Sequence, residues 1–187
     1  NRLRTTRHTI VFWHSPIKPA DCSQKLASHA IITGGSSGIG LATANLLAAR
    51  GVSVSLIARN LERLETARKL VSAAATADAR VRIYQSDVRD SAALNEAVKS
   101  AVSELGQPDW AISSAGIVRP GTFINQTLDA YEEQIQTNYL GSLYFAKAVC
   151  PHMIGQGTGK LVFISSGAAF VGLFGYSSYG PSKFAVR

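Results

Sequence analysis

The sequence predicts an α/β fold with a doubly wound, parallel β-sheet. Three observations carry this prediction: short apolar runs alternate with helix-patterned segments, a glycine-rich turn joins the first run to the first helix, and polar residues follow the later runs. Strands that alternate with helices need right-handed crossovers, which make the strands parallel and place helices on both faces of the sheet.

The segment after residue 27 begins with two strand–helix units. A strand over residues 29–33 leads to a helix over residues 38–50, where Leu and Ala recur at helical spacing before Gly51 ends it. A second strand, over residues 52–57, leads to a helix over residues 61–75. The buried face of that helix is expected to hold Leu61, Leu64, Ala67, Leu70 and Val71.

Three more strands continue the alternation, over residues 81–85, 110–113 and 160–165. Asp90 or Ser91 is expected to cap the helix between the first two, which ends near Leu105. A long helix over residues 129–153 precedes the last strand, and another helix begins at Tyr179.

The charge distribution argues against a nucleic-acid partner. The net charge is +7, but residues 1–25 carry +4 of it and the remaining 162 residues only +3. Residues 1–27 lack a sustained period and contain Pro16 and Pro19, so we expect an irregular basic arm there and one globular domain over residues 28–187. We expect no nucleic-acid binding.

Cysteine usage and hydropathy indicate a reducing compartment and no spanning segment. Cys22 and Cys150 have no metal-ligand spacing around them, so we expect free or buried thiols and no metal site. No apolar run approaches the roughly 18 residues of a membrane span. Because the sequence does not begin with Met, membrane association through a preceding segment stays open.

The turn TGGSSGIG at residues 33–40 predicts a Rossmann-type nucleotide site. Gly34 and Gly35 are expected to leave the strand in conformations that a Cβ forbids, while Gly38 and Gly40 permit close approach to the phosphates and the neighbouring strand. The first helical N–H groups then face a pyrophosphate. The predicted contacts here are Gly34, Ser36, Ser37, Gly38, Ile39 and Gly40. The spacing differs from G-x-G-x-x-G, and a glycine-rich turn without a ligand is the alternative.

The ends of the second and third strands suggest which dinucleotide binds. An acidic residue after the second strand suits NAD, whereas Arg59 there suits the 2′-phosphate of NADP, with Arg63 as a second cation. The alternative for Arg59 is a solvated loop residue. Asp87, beside Val88, is expected either to accept from the adenine amino group or to act as a helix cap.

Ser166, Tyr179 and Lys183 form the candidate reaction centre. Tyr179 and Lys183 follow the pattern Y-x-x-x-K, which places a phenol and an ammonium on one helix face. A nearby ammonium stabilises a phenolate and makes the tyrosine usable as an acid or base. The pattern alone is weak, but it lies thirteen residues after Ser166 in a chain that opens with TGGSSGIG.

Together these residues resemble the short-chain dehydrogenase/reductase family from Ser28 onwards. The resemblance implies NAD(P)-dependent oxidoreduction of a carbonyl or alcohol by an Asn-Ser-Tyr-Lys tetrad: Asn138, Ser166, Tyr179 and Lys183. It implies that Ser166 polarises the carbonyl, that Tyr179 donates the proton, and that Lys183 binds the ribose and stabilises the Tyr179 phenolate. It also implies that Asn138 positions a relay water and kinks the long helix.

One departure concerns the segment after the fourth strand. The family's Asn-Asn-Ala-Gly is here Ser113, Ser114, Ala115 and Gly116. Serine still hydrogen-bonds, and Ala115 and Gly116 still permit close approach of the cofactor, so both stay predicted cofactor contacts.

Within the family, the chain is similar to the 3-ketodihydrosphingosine reductases. The similar stretches are HAII before TGGSSGIG, LIARN, NYLGS, GLFGY and SKFAVR. This implies NADPH-dependent reduction of a long-chain keto substrate in sphingolipid synthesis, with an endoplasmic reticulum or cytoplasmic location. The apolar segment 168–174 suits an aliphatic chain or, alternatively, ordinary core packing.

Other functions stay open at this point. The sequence stops four residues after Lys183, where family members continue, so a C-terminally truncated domain is expected. The alternatives are another short-chain reductase, of 3-ketoacyl or steroid type, and a truncated nucleotide-binding protein without activity. A homo-oligomer is possible.

Overall fold

A five-stranded parallel sheet forms the centre of residues 28–187, the part of the chain that the computed structural model describes. The predicted arm at residues 1–27 lies outside the described residues. The strands are β1 (His29–Thr33), β2 (Ser53–Ala58), β3 (Val81–Gln85), β4 (Trp110–Ser113) and β5 (Lys160–Phe163). Their order is β3-β2-β1-β4-β5, which confirms the doubly wound parallel fold.

The helices connect these strands in chain order. They are α1 (Gly38–Ala48), α2 (Leu61–Ala74), α3 (Ser91–Leu105), α4 (Leu128–Gln134), α5 (Gly141–Gln156) and α6 (Tyr179–Val186). A π-helical segment (Ile135–Leu140) joins α4 to α5, and a 3₁₀ turn (Gly167–Ala169) follows β5. No helix within residues 28–187 combines the length and apolarity needed to span a bilayer.

Two hydrophobic cores lie on the two faces of the sheet. Ile32 of β1 packs with α1 and α2, whereas its neighbour Ile31 packs with α3 and α5. Successive strand residues point to opposite faces, and both faces are covered by helices. This explains why β1 is a continuous apolar run rather than an alternating one.

Helix α2 buries fewer residues than its pattern predicts. Leu64, Ala67 and Val71 are buried, but Leu61 and Leu70 are 49% and 54% exposed. At about 100° per residue, each of these two leucines lies roughly 90° around the helix from the buried stripe. The prediction of Leu61 and Leu70 as core residues is therefore wrong.

The long helix predicted over residues 129–153 is interrupted. It begins one residue earlier, where the Thr127 hydroxyl accepts a hydrogen bond from the Ala130 N–H, and changes to π-helical winding at Ile135–Leu140. π-Helical segments often mark functional positions. Asn138, expected to disturb the helix, lies within this segment.

Candidate active site

A cleft of about 250 Å³ lies at the carboxyl edge of the sheet. β1 is flanked by β2 on one side and β4 on the other, the reversal of strand order at which open parallel sheets bind ligands. Eight predicted cofactor residues line it: Gly34, Ser36, Ser37, Arg59, Arg63, Val88, Ala115 and Gly116. The structure thus brings together residues from four separate strand–helix turns.

Six other predicted cofactor residues do not line this cleft: Gly38, Ile39, Gly40, Asp87, Tyr179 and Lys183, the last two of which lie on α6. Gly38, Ile39 and Gly40 form the start of α1, with Ile39 exposed and Gly40 buried. Asp87 follows β3, and its carboxylate is bound by Arg89. Their predicted contacts to a cofactor stay predictions.

The glycine turn has two positions, Gly34 and Gly40, where a Cβ collides with backbone atoms. Gly34 has φ +68°, and a Cβ there lies 2.7 Å from the Ala115 backbone nitrogen. A Cβ on Gly40 lies 2.5 Å from the Gly34 carbonyl oxygen, so this glycine packs against its own turn rather than against a neighbouring strand. Gly35 has no positive φ, contrary to expectation, and its Cβ position is limited by the Leu56 side chain at 3.0 Å.

Two arginines stand at one end of the cleft. Arg59 is half-exposed, and its Nη1 lies 4.0 Å from Asp87 Oδ2. Arg63 is exposed, and its backbone N–H donates to Asn60 Oδ1, which caps α2. Within residues 28–187 the Arg63 side chain makes no ion pair, so both guanidinium groups are available to an anion.

Asp87 is held mainly by Arg89. Its carboxylate accepts from Arg89 Nη2 at 2.6 Å and from the Arg89 backbone N–H at 3.0 Å. Burial alone raises the pKa of Asp87, but the hydrogen bonds from Arg89, together with the charge of Arg59, outweigh it and hold the pKa below its ordinary value. The cap of α3 is Asp90 rather than Asp87.

Asn138 joins the π-helical segment to the turn after β4. Its side chain is fully buried and exchanges two hydrogen bonds with the Ile117 backbone, at 2.8 and 2.9 Å. Its Nδ2 also donates to Ser182 Oγ at 2.8 Å. All polar atoms of this side chain are therefore used in positioning the loop and α6.

Lys183 places a buried ammonium beside the cleft. The residue is only 6% exposed, and its Nζ donates to the Ile164 carbonyl at 2.9 Å. Burial lowers the pKa of Lys183, and no acidic partner within residues 28–187 compensates. A Cβ on Gly116 lies 3.3 Å from this Nζ and 3.2 Å from Asn138 Oδ1, so both side chains converge on the end of the cleft.

Tyr179 begins α6, and its ring faces Lys183. The ammonium lies 6.0 Å from the centroid of the Tyr179 ring, as the i, i+4 spacing predicts. The Ser166 hydroxyl accepts from the Ala168 N–H at 3.1 Å and thereby starts the 3₁₀ turn against which α6 packs. Its hydroxyl proton makes no hydrogen bond within the described residues, so it can be donated to a ligand.

A second, apolar pocket of about 660 Å³ lies between the segment after β5 and α6. Its main lining residues are Phe170, Val171, Leu173, Tyr176, Pro181 and Phe184. The predicted apolar segment 168–174 therefore forms a pocket wall, with Ala168 and Ala169 buried and the rest largely exposed. Core packing accounts only for these two alanines.

Five cleft residues had no recognisable signal in the sequence. They are Ala58, Asn60, Ser86, Ile117 and Thr137. Each of them directly adjoins a predicted residue or the end of a predicted strand. Including the sequence neighbours of every predicted residue would therefore have found them. Within residues 28–187 no three His, Cys, Asp or Glu side chains are grouped to hold a metal.

The cleft residues fit a dinucleotide. The position of a Cβ on Gly38 meets no atom within 4 Å, so the helix start faces open space. Within residues 28–187 the guanidinium groups of Arg59 and Arg63 donate no hydrogen bond, although Arg59 has an ion pair with Asp87 at 4.0 Å. The Lys183 ammonium, beside Gly116 of the cleft, makes one hydrogen bond there. Such a distribution suits a ligand with a phosphate group and a ribose hydroxyl.

Related proteins match this arrangement in sequence. The chain is 38% identical over 180 residues to a 3-dehydrosphinganine reductase of Danio rerio, covering 95% of this chain and 54% of that protein. It is 37% identical over 162 residues to a 3-ketodihydrosphingosine reductase of Bos taurus, covering 86% and 49%. The chain thus spans about half the length of these relatives.

Solved structures match it in fold. A xylitol dehydrogenase with bound NAD⁺ superposes with a TM-score of 0.81 at 31% identity, covering 85% of this chain and 60% of that one. A variant of actinorhodin polyketide ketoreductase with NADPH gives a TM-score of 0.79 at 29% identity, covering 86% and 61%. The sequence profile described as short chain dehydrogenase matches residues 28–187. The chain therefore belongs to the short-chain dehydrogenase family, whose members are oxidoreductases that use a nicotinamide cofactor.

Proposed function

We propose that the protein is an NADPH-dependent ketone reductase that converts 3-ketodihydrosphingosine to dihydrosphingosine. The observation that carries the reaction type is the convergence of Asn138 and Lys183 on Gly116, with Tyr179 beside the ammonium. The names of the relatives from zebrafish and cattle support the substrate. The proposal concerns the activity of a whole protein, and the chain spans about half the length of these relatives.

The chain's own residues account for the proton chemistry. The Ser166 hydroxyl, which keeps its own proton, donates a hydrogen bond to the substrate carbonyl oxygen and so polarises the carbonyl. Tyr179 then gives its phenolic proton to the same oxygen, and the Lys183 ammonium stabilises the phenolate that is left. When bound, the nicotinamide cofactor supplies the hydride. Asn138 holds α6 and the loop after β4 in register, which keeps Tyr179 and Lys183 at the cleft.

NADPH is the proposed cofactor because of the charge at the distal end of the cleft. The 2′-phosphate that distinguishes NADPH from NADH is an anion, and Arg59 and Arg63 both line the cleft with free donors. Neither position carries the acidic residue that favours a free 2′-hydroxyl. Arginine binds phosphate with paired hydrogen bonds, so Arg59 supplies recognition as well as charge.

The apolar pocket supports a long aliphatic substrate. Its volume is about 660 Å³, and its lining begins at Ala168, two residues after Ser166. Burying each methylene of a chain contributes about 0.8 kcal/mol, so such a wall selects long substrates over short ones. The Arg187 Cζ lies 4.2 Å from the ring centroid of Phe170, one of the residues that line this pocket.

Turnover with three classes of ketone tests the proposal. The full-length protein is expected to oxidise NADPH with 3-ketodihydrosphingosine faster than with a 3-ketoacyl thioester or a steroid ketone. Preference for either of the last two supports another short-chain reductase instead. Absence of turnover with all three, despite NADPH binding, supports a nucleotide-binding protein without activity.

We also propose a location and an assembly to be tested with the same protein. A long-chain substrate suits the cytosolic face of the endoplasmic reticulum membrane, reached either from the cytoplasm or through a preceding anchor segment. Fractionation of cells that express the full-length protein distinguishes membrane-bound from cytoplasmic protein. Sedimentation of the purified protein tests for a homo-oligomer.

A further inference from the structure

Two pairs of polar side chains cross between the π-helical region and α6. Gln134 and Asn138 lie four residues apart on one side, and Ser178 and Ser182 lie four residues apart on the other. Gln134, Asn138 and Ser182 are fully buried, and Ser178 is 1% exposed. The Asn138–Ser182 bond belongs to the site already described, whereas the Gln134–Ser178 bond has no role in it.

Gln134 uses every hydrogen-bonding group of its amide. Its Oε1 accepts from the Arg119 backbone N–H at 2.9 Å. Its Nε2 donates to the Ala130 carbonyl at 2.9 Å and to Ser178 Oγ at 2.6 Å. The side chain therefore ties the loop after β4, its own helix and the start of α6 to one another.

Ser178 occupies the N-cap position of α6 but does not cap it. Serine at this position normally accepts from an N–H of the first helical turn, yet here no such side-chain bond is made. Its hydroxyl instead accepts from Gln134 and donates to Gln126 Oε1 at 3.0 Å. Gln126 also accepts from Ser177 and donates to the Arg119 carbonyl.

These bonds act on the residue directly before Tyr179. Tyr179 is the first residue of α6, so the bonds of Ser178 hold the backbone at the point where the helix begins. The Asn138–Ser182 bond holds the helix one turn further on, and the two bonds together position the first turn. Reacting groups lose a large part of their rate when displaced by about 1 Å, which makes this position sensitive.

We propose that Gln134 and Ser178 are positioning residues for Tyr179, acting through their mutual hydrogen bond. This inference rests on the proposed reductase function and adds two residues to the machinery that serves it. Neither side chain lines the cofactor cleft, and the residue next to their hydrogen bond is Tyr179. Their main effect is therefore expected on the proton donor.

A double-mutant cycle in the full-length protein tests the inference. Ser178→Ala, Gln134→Met and the double variant are compared for kcat, KM, NADPH Kd and NADPH bound per chain. Gln136→Met is the matched control, because Gln136 lies two residues after Gln134, is exposed and makes no side-chain hydrogen bond within the described residues. NADPH bound per chain reports the folded fraction of each variant.

We expect each single variant to lose about tenfold in kcat, with KM and NADPH Kd within about twofold of the wild type. Because both residues act through one hydrogen bond, kcat of the double variant is expected to lie within about twofold of kcat of the slower single variant. If the kcat losses of the two single variants multiply in the double variant, the inference is overturned. It is also overturned if kcat of the single variants stays within twofold of wild type, or if Gln136→Met lowers kcat as much as they do. A fall in bound NADPH parallel to kcat also overturns it, because the effect is then one of folding. A wild-type protein without turnover overturns the proposed function itself.

Discussion

Replacing Arg59 with alanine separates NADPH from NADH binding. Arg59 is half-exposed, and its closest acid is Asp87 at 4.0 Å, an ion pair worth at most about 1 kcal/mol at such exposure. A charged hydrogen bond to a phosphate contributes about 1.5–3 kcal/mol. After subtracting the ion pair given up, about 0.5–2 kcal/mol remains, so losing Arg59 weakens NADPH binding by about 2- to 30-fold. NADH lacks the 2′-phosphate, so its affinity is expected to stay within about twofold.

The assay is equilibrium titration of both cofactors at one ionic strength, because phosphate binding is screened by salt. Arg68→Ala is the matched control, because it also removes one positive charge, here from α2. Arg68 does not line the cleft, and its Nη2 pairs with Glu65 Oε2 at 2.7 Å. It is expected to leave the ratio of the two dissociation constants unchanged. If Arg59→Ala also leaves that ratio unchanged, the assignment of Arg59 to the 2′-phosphate is refuted.

Three further predictions concern stability, measured by thermal or urea unfolding. Gly34→Ala is expected to lower Tm more than Gly38→Ala, because both add a Cβ at positive φ but only the first meets backbone, 2.7 Å from Ala115 N; equal shifts contradict this. Lys183→Met is expected to raise Tm at pH 7, because burial disfavours the charged ammonium of Lys183 and methionine carries no charge. Each kcal/mol gained in the free energy of unfolding raises Tm by about 2–4 °C. The difference in Tm between the variant and the wild type is expected to shrink as pH rises towards 10.5, where the lysine loses its proton in the unfolded state as well. A difference in Tm that does not change with pH argues against this cause. His29 is buried, and burial lowers its pKa, so the wild type is expected to lose stability as pH falls below 6.5, where the unfolded histidine takes up a proton. His29→Gln flattens this part of the profile, and an unchanged slope assigns the loss to another group.

The predictable parts of the fold are those with a local signal. β1, β3 and β4 have the predicted bounds, because each is a short run of strand-forming residues closed by turn residues. β5 ends at Phe163 rather than at residue 165, since strand pairing with β4 stops there and Ser165 instead donates to the Lys183 carbonyl. Strand ends depend on the neighbouring strand, which a local pattern does not contain.

The candidate site divides in the same way. The turns after β1 and β2 could be predicted, because glycine and arginine at a strand end have direct chemical meaning. The bond between Gln134 and Ser178 could not, because it joins residues 44 positions apart with no motif in either segment. Asp87 shows a third case: its position was predicted, but its binding by Arg89 depends on a side chain two residues away.

Ketone-dependent NADPH oxidation by the full-length protein tests the central claim most directly. We predict that 3-ketodihydrosphingosine stimulates NADPH oxidation with formation of dihydrosphingosine. Tyr179→Phe is predicted to lower kcat by about 10²–10⁴-fold, with NADPH affinity nearly unchanged, because only the proton donor is lost. No stimulation by this ketone, or a Tyr179→Phe variant that keeps wild-type turnover, contradicts the account.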